Sequence, residues 1–120
     1  MSKKHELPLE EIVAKLAAIG VPSLMFIMAV GATGLAGAAA ITAALASLGP
    51  GGIVGGIVFL GVSGLITDAV TRYGVDALLS GVVKQLYKDG ETKESIKIKI
   101  DKYPVSKGLK LKLFYKLDQL

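Results

Sequence analysis

Fifty-two consecutive residues, from Leu16 to Thr67, carry no charged side chain. One membrane-spanning helix needs ~20 apolar residues, so this run is long enough for two spans and a turn. Small and aliphatic residues supply most of it, whereas aromatic residues, which carry much of the burial in small soluble domains, make up only 6% of the chain. The run therefore predicts a membrane protein, or a protein that hides a very apolar surface by assembly.

Two helices and a tight turn are expected within this run. The first helix, residues 23–48, would measure ~39 Å, which is enough to cross a hydrocarbon layer of ~30 Å. The return helix is expected at residues 53–73, because its uncharged part alone, residues 53–67, is too short to span. Proline cannot continue a helix and glycine accepts positive φ, so the turn is predicted at Gly49, Pro50, Gly51 and Gly52.

The charged residues that follow the run, Asp68 and Arg72, are four positions apart. On a helix this spacing lets the two side chains form an ion pair. With Tyr73 as an interfacial aromatic residue, the pair is predicted to lie at the boundary between membrane and water. Three alternatives remain open: the two side chains are simply solvated, form a buried ion pair, or line a pore.

Small residues recur at helical spacing along both predicted spans. In the first span, alanines repeat every four positions from Ala32 to Ala44 and glycines every three from Gly31 to Gly37. Helices in lipid associate by close packing, which small side chains permit. These faces are expected to join the two spans and to drive homo-oligomerisation. The predicted packing residues are Gly31, Gly34, Ala36, Gly37, Ala40, Gly51, Gly52, Gly55, Gly56, Gly61 and Gly64.

The hairpin divides the chain into three predicted regions. Residues 1–22 comprise a polar tail and an amphipathic helix, residues 23–73 the hydrophobic hairpin, and residues 74–120 a helical extension with a basic tail. The amphipathic helix is expected to begin near Pro8, which suits a first turn, and to end at Gly20. A break or kink is expected immediately afterwards, at residues 21–23.

Residues 92–118 have two interpretations. The segments SIKIKI (95–100) and LKLKL (109–113) alternate apolar residues with lysine, which is the pattern of β-strands. Thr92 and Ser106, however, stand where the N-caps of two short helices would be. Two helices are the favoured prediction, and a β-hairpin is the alternative.

The C-terminal region is basic, with ten lysines and five acidic residues from Lys84 onward. Lysine clusters beside a membrane segment are typical of attraction to anionic lipid headgroups. Nucleic acid is a poorer fit, because acidic residues are interspersed and few aromatic side chains are available for stacking. The candidate headgroup contacts are Lys84, Lys88, Lys97, Lys99, Lys110 and Lys112. The positive-inside tendency places both termini in the cytoplasm and the turn outside.

No enzyme chemistry is readable in this sequence. No lysine lies between residues 16 and 83, so the glycine-rich stretch cannot be a P-loop. The chain contains no cysteine, and its single histidine, His5, lies in the charged N-terminal tail. The chain is therefore not expected to be an enzyme, and no catalytic residue, metal site, cofactor or small-molecule substrate is predicted.

Two families of membrane-active proteins share this pattern. The long uncharged hairpin with its Gly-Pro-Gly-Gly tip resembles the hydrophobic hairpin of pore-forming colicins. The Gly/Ala-rich core followed by a Lys-rich helical end resembles the saposin-like circular bacteriocins. The likeness covers about residues 16–88 and is one of composition. It implies insertion into a membrane.

The predicted fold is all-α, with a transmembrane helical hairpin at its centre. The favoured function is a small membrane-inserting protein that self-associates and permeabilises or remodels a bilayer, as a toxin, bacteriocin or defence effector would. An uncharged turn could cross a bilayer after synthesis, which permits a soluble form before insertion. The alternatives are a non-lytic membrane scaffold or small subunit of a membrane complex, and a soluble all-α assembly that buries residues 16–67 between protomers.

Overall fold

The computed structural model describes residues 7–34, 37–48, 56–103 and 105–120. In these ranges the chain forms seven α-helices and no strand, so the all-α prediction is confirmed for the part described. The helices are α1 (Leu9–Ile19), α2 (Val21–Thr33), α3 (Gly37–Leu48), α4 (Gly56–Tyr73), α5 (Val75–Lys88), α6 (Lys93–Asp101) and α7 (Lys107–Gln119).

Helix α2 lies at the centre of the molecule and contacts each of the other six described helices. Its apolar residues follow one another without a polar stripe, so it has no natural solvent face. A helix of this kind is stable only when its whole circumference is covered. The remaining helices provide that cover and place their own apolar stripes against it.

Helix α1 is amphipathic, as predicted, with Glu10 and Glu11 near its positively polarised N-terminus. It ends at Gly20, whose φ of 97° belongs to a region that L side chains rarely adopt. The break expected at residues 21–23 is displaced, because α2 already begins at Val21. Pro22 occupies the first turn of α2, where its missing N–H leaves no helical hydrogen bond unmade.

The prediction of one continuous helix over residues 23–48 is wrong. Helix α2 stops at Thr33, and Gly34 follows in the left-handed region with φ 66° and ψ 11°. This is the usual conformation of a residue that ends a helix, and glycine adopts it without steric cost. Helix α3 then packs back against α2, so the predicted first span is folded on itself.

The return helix is present from Gly56 to Tyr73, while the predicted turn at residues 49–52 lies outside the described residues. No single described helix is both long and apolar enough to cross a membrane. Helices α1 and α2 together meet that criterion by length and composition, across a bend of 120° at the break between them.

The C-terminal region forms two helices, and the β-hairpin alternative is wrong for the residues that the structure describes. Thr92 accepts a hydrogen bond from the Ser95 amide (3.0 Å), and its own amide donates to Ser95 Oγ (2.8 Å), which makes a capping box for α6. Ser106 accepts from the Leu109 amide (3.2 Å) and caps α7. These caps start the two helices despite the alternating pattern.

Candidate functional site

The most unusual feature of the structure is the extent to which α2 is buried. Phe26, Leu24 and Ile27 are fully inaccessible, and each buried side chain of this size contributes about 1.5–3 kcal/mol to folding. The one polar group in this buried stretch, the Ser23 hydroxyl, donates to the Gly20 carbonyl at 2.7 Å. The buried residues of α2 are Val21, Ser23, Leu24, Met25, Phe26, Ile27, Met28, Ala29 and Val30.

Four of the helices that cover α2, namely α1, α5, α6 and α7, have one apolar face and one charged face. On α5, Leu78, Val82 and Leu86 are buried, whereas Lys84 and Lys88 are exposed. The other buried stripes are Ile12, Val13, Leu16 and Ala17 on α1, Ile96 and Ile100 on α6, and Leu109, Leu113 and Leu117 on α7. The molecule therefore keeps its charges outside and its most apolar helix inside.

Gly31 lies at a close contact between α2 and α5. A Cβ atom at this position would lie 2.5 Å from Cγ2 of Val75, which is too near for a real side chain. Ala40 and Ala44 of α3 are fully buried. Two of the predicted packing residues, Gly31 and Ala40, therefore lie at helix contacts within one chain, as does Ala44 of the same alanine repeat.

Gly64 lies in a different environment, since it is exposed and a Cβ atom there would meet nothing within 4 Å. Gly34 is also without close neighbours, and it serves to end α2. Gly37 and Gly56 begin helices α3 and α4, and Gly61 lies within α4. The other predicted packing and turn residues lie outside the described ranges: Ala36, Gly49, Pro50, Gly51, Gly52 and Gly55.

One close helix contact was not predicted from the sequence. A Cβ atom at Gly81 of α5 would lie 2.8 Å from Cγ2 of Val13 on α1. Gly81 is the single glycine of α5 and lies outside the uncharged run, so it was not among the predicted packing residues. Gly31 and Gly81 together bring α2 and α1 close to α5.

Asp68 and Arg72 form an ion pair, with Oδ2 and Nη2 2.8 Å apart. The Asp68 side chain is 44% exposed, so the pair lies at the surface of the folded chain. Arg72 also donates to the Tyr73 hydroxyl and to the Leu7 carbonyl, both at 3.0 Å. The guanidinium group thus connects the end of α4 to the segment before α1, a contact that sequence spacing did not predict.

The six lysines predicted to contact lipid headgroups fall into two groups. Lys97 pairs with Asp118 at 2.8 Å, Lys99 pairs with Glu91, and Lys110 donates to the Asp101 carbonyl at 2.8 Å. Lys84, Lys88 and Lys112 form no ion pair within the described part of the chain. Only this second group is unengaged in the folded state.

Two of the carboxylates that bind these lysines have lowered pKa values. Hydrogen bonds from Lys99, and then from Ser95, hold the pKa of Glu91 below its ordinary value of 4.5. The hydrogen bond from Lys97, with further attraction from Lys93, holds the pKa of Asp118 below 3.8. Both shifts favour the charged carboxylate.

Helix α7 is tied to the start of α5 by Lys116, whose Nζ lies 2.6 Å from Oδ1 of Asp76. A cleft of about 240 Å³ lies beside this ion pair, between α2, α5 and α7. Gly31, Met28 and Lys112 are among the residues that line it. This contact could not be predicted from the sequence, because the two charges are forty residues apart.

No known protein family, curated protein or solved structure matches this chain. Within the described ranges, no group of three or more histidine, aspartate and glutamate side chains is placed to hold a metal ion. The described residues form an apolar helix that packs against the six other helices, with Gly20 before it and Gly34 after it in the chain.

Proposed function

We propose that this chain is a membrane-inserting protein that stores its most apolar helix inside a helical bundle until it meets a bilayer. The observation that carries the proposal is the burial of residues 23–30 of α2 by helices of its own chain. Transfer of α2 into hydrocarbon would replace one apolar environment by another. The amphipathic covering helices would then remain at the surface with their charged faces in water.

In the inserted state, the hairpin inferred from the sequence would form from α2, α3 and α4. Straightening at Gly34 joins α2 to α3 and gives a span of residues 23–48, with α4 as the return helix. Gly34 can make this change, since glycine occupies both helical and left-handed conformations at low cost, but α3 must separate from α2. Asp68 and Arg72 would then lie at the interface, which their surface position in the folded chain already permits.

Self-association follows from the small residues that insertion would release. Gly31 packs on Val75 in the folded chain, and separation of α2 from α5 would free this face for another helix. Gly64 is already exposed on α4. In lipid, such faces are the usual sites of close helix packing. An oligomer built in this way would permeabilise or remodel the bilayer.

The test uses two alanines that are both exposed in the folded structure. Ala39 lies on α3 within the uncharged run, whereas Ala77 lies on α5 outside it. Lysine at either position leaves the core intact, but Ala39→Lys puts a charge into the span at a cost of ~2.5–3.5 kcal/mol. We expect Ala39→Lys to slow dye release from anionic vesicles by at least about tenfold, and Ala77→Lys to release dye like the wild type.

Equal dye release by the two variants would contradict the proposal. Thermal unfolding checks that both variants fold, and carbonate washing of the membranes tests integration separately. Protein that resists the wash without releasing dye would be a non-lytic scaffold, and protein that stays in the supernatant would be a soluble assembly. Crosslinking of vesicle-bound wild-type protein tests self-association, and a purely monomeric product would remove that part of the proposal.

A further inference from the structure

The outer face of α6 and α7 carries three large apolar side chains that the described residues leave more than half exposed. Ile98 is 58% exposed, Leu111 56% and Tyr115 65%. The residues two positions before and two positions after each of them are buried. Two positions along a helix correspond to a rotation of about 200°, so the three side chains point away from the buried face. The alternating segments SIKIKI and LKLKL therefore place every second apolar residue outward once they fold as helices.

The two helices present these residues on one surface. Lys97 of α6 lies 2.8 Å from Asp118 of α7 and 5.7 Å from the centre of the Phe114 ring, so α6 and α7 pack side by side. Both helices bury their opposite faces against α2. We call the surface made by Ile98, Leu111 and Tyr115 the outer face.

Unpaired lysines border the outer face. Lys102 follows Ile98 by one helical turn, and Lys107 precedes Leu111 by one turn. Both are exposed and form no ion pair with any described residue, and the same holds for Lys112 next to Leu111. Neither Lys102 nor Lys107 was among the lysines predicted to contact lipid.

This side of the molecule carries a net positive charge even when its acidic groups are counted. Residues 91–119 contain eight lysines and four carboxylates. Asp118 lies between Lys93 and Lys97, and Glu91 pairs with Lys99. Asp101 lies 4.0 Å from Lys110, and Glu94 is exposed one turn before Ile98. The border of the outer face therefore carries net positive charge that can attract an anionic partner.

We infer that the outer face is a docking surface for the anionic surface of a bilayer. Ile98 and Leu111 would enter the boundary between headgroups and acyl chains, and Tyr115 would lie at headgroup level with its hydroxyl in water. Lys102 and Lys107 would contact anionic headgroups. This inference rests on the proposed function for its target membrane, but docking needs no insertion and places no charge in hydrocarbon.

The experiment measures flotation of the full chain with vesicles of phosphatidylcholine, with and without phosphatidylglycerol. Lys102→Gln/Lys107→Gln removes two charges from the border of the outer face. The matched control, Lys84→Gln/Lys88→Gln, removes two unpaired charges beside α1. The sequence predicts these two lysines as headgroup contacts, but they lie on α5 and are not part of the outer face. At ~1 kcal/mol per lysine, we expect the first pair to weaken anionic-vesicle binding roughly thirtyfold and the control to weaken it less than about threefold.

Leu111→Ser/Tyr115→Ser tests the apolar part of the outer face. Both residues are more than half exposed, so the variant should fold, and we expect it to lose most vesicle binding. Binding equal to the wild type, or equal losses for the two lysine pairs, would overturn the inference. So would a wild-type dimer in solution that this variant abolishes, because the outer face would then join two copies.

Dye release from the same vesicles separates this inference from the proposed function. Vesicle binding that depends on the outer face, without dye release, would support docking and count against permeabilisation. Dye release that is unchanged in every outer-face variant would support permeabilisation and overturn docking.

Discussion

Gly31 and Gly64 look alike in the sequence, since both are helical glycines within the uncharged run. The structure separates them by their neighbours. At Gly31 a Cβ atom would lie 2.5 Å from Val75, whereas at Gly64 it would meet nothing within 4 Å. The spacing of small residues predicts a helix face on which another helix can pack closely. Whether a helix packs there depends on the rest of the fold.

This difference predicts opposite effects of the same substitution. Gly31→Ala should lower the free energy of unfolding by about 1–3 kcal/mol, because Val75 is β-branched at the start of α5 and the two side chains would overlap. Gly64→Ala should raise it by about 0.5–1 kcal/mol, since alanine favours the helix. Urea unfolding measures both, and shifts of the same sign would contradict the assigned contact.

At the scale of helices, Gly34 shows what periodicity cannot predict. Gly31, Gly34 and Gly37 are equally spaced in an uncharged segment, so their spacing does not show which of them ends the helix. Only packing decides it, because a break at Gly34 lets α3 fold back onto α2. The sequence was informative where polar caps exist, at Thr92 and Ser106, and there the helices were predicted.

The ion pairs of α6 and α7 predict a loss of stability in acid. Glu91 and Asp118 have pKa values that are lower in the folded chain than in the unfolded chain. Their stabilising contribution is therefore complete above the unfolded values of 4.5 and 3.8 and is lost as pH falls through the lower folded values. Because Asp118 and Lys99 are each about half exposed, solvent screens both pairs, so the effect should be modest and should weaken in high salt.

Urea unfolding between neutral pH and pH 3 measures this effect. We expect Glu91→Gln/Asp118→Asn to reduce the loss of stability below pH 4.5, with the difference from the wild type largest in low salt. Parallel stability curves for the two proteins would show that these pairs do not contribute. The same acid treatment should free Lys97 and Lys99 and increase the positive charge of the outer face.

At the scale of the whole molecule, the uncharged run predicts how much of the chain is buried away from water. It does not predict what covers the buried residues. An apolar helix can be covered by lipid, by another protomer or by the rest of its own chain, and amino-acid composition does not distinguish these three cases. In the structure, α2 is covered by its own chain. Contacts such as Lys116 with Asp76 and Arg72 with the Leu7 carbonyl join distant parts of the sequence, so no local pattern could predict them.

The central claim is that α2 must leave α5 before the protein can act on a membrane. The chain has no cysteine, and a Cβ atom at Gly31 would lie 3.5 Å from Cβ of Val75, which suits a disulfide. Gly31→Cys/Val75→Cys would lock α2 to α5. Val13→Cys/Gly81→Cys, with a corresponding distance of 3.9 Å, would lock α1 to α5 as the control.

Dye release from anionic vesicles by the oxidised and reduced forms of these two variants is the most direct test. We predict that the oxidised α2–α5 lock releases no dye, that reduction restores release, and that the α1–α5 lock releases dye in both forms. Equal release by the oxidised and reduced α2–α5 lock would contradict the account, because the apolar helix would then have no need to leave its place in the bundle.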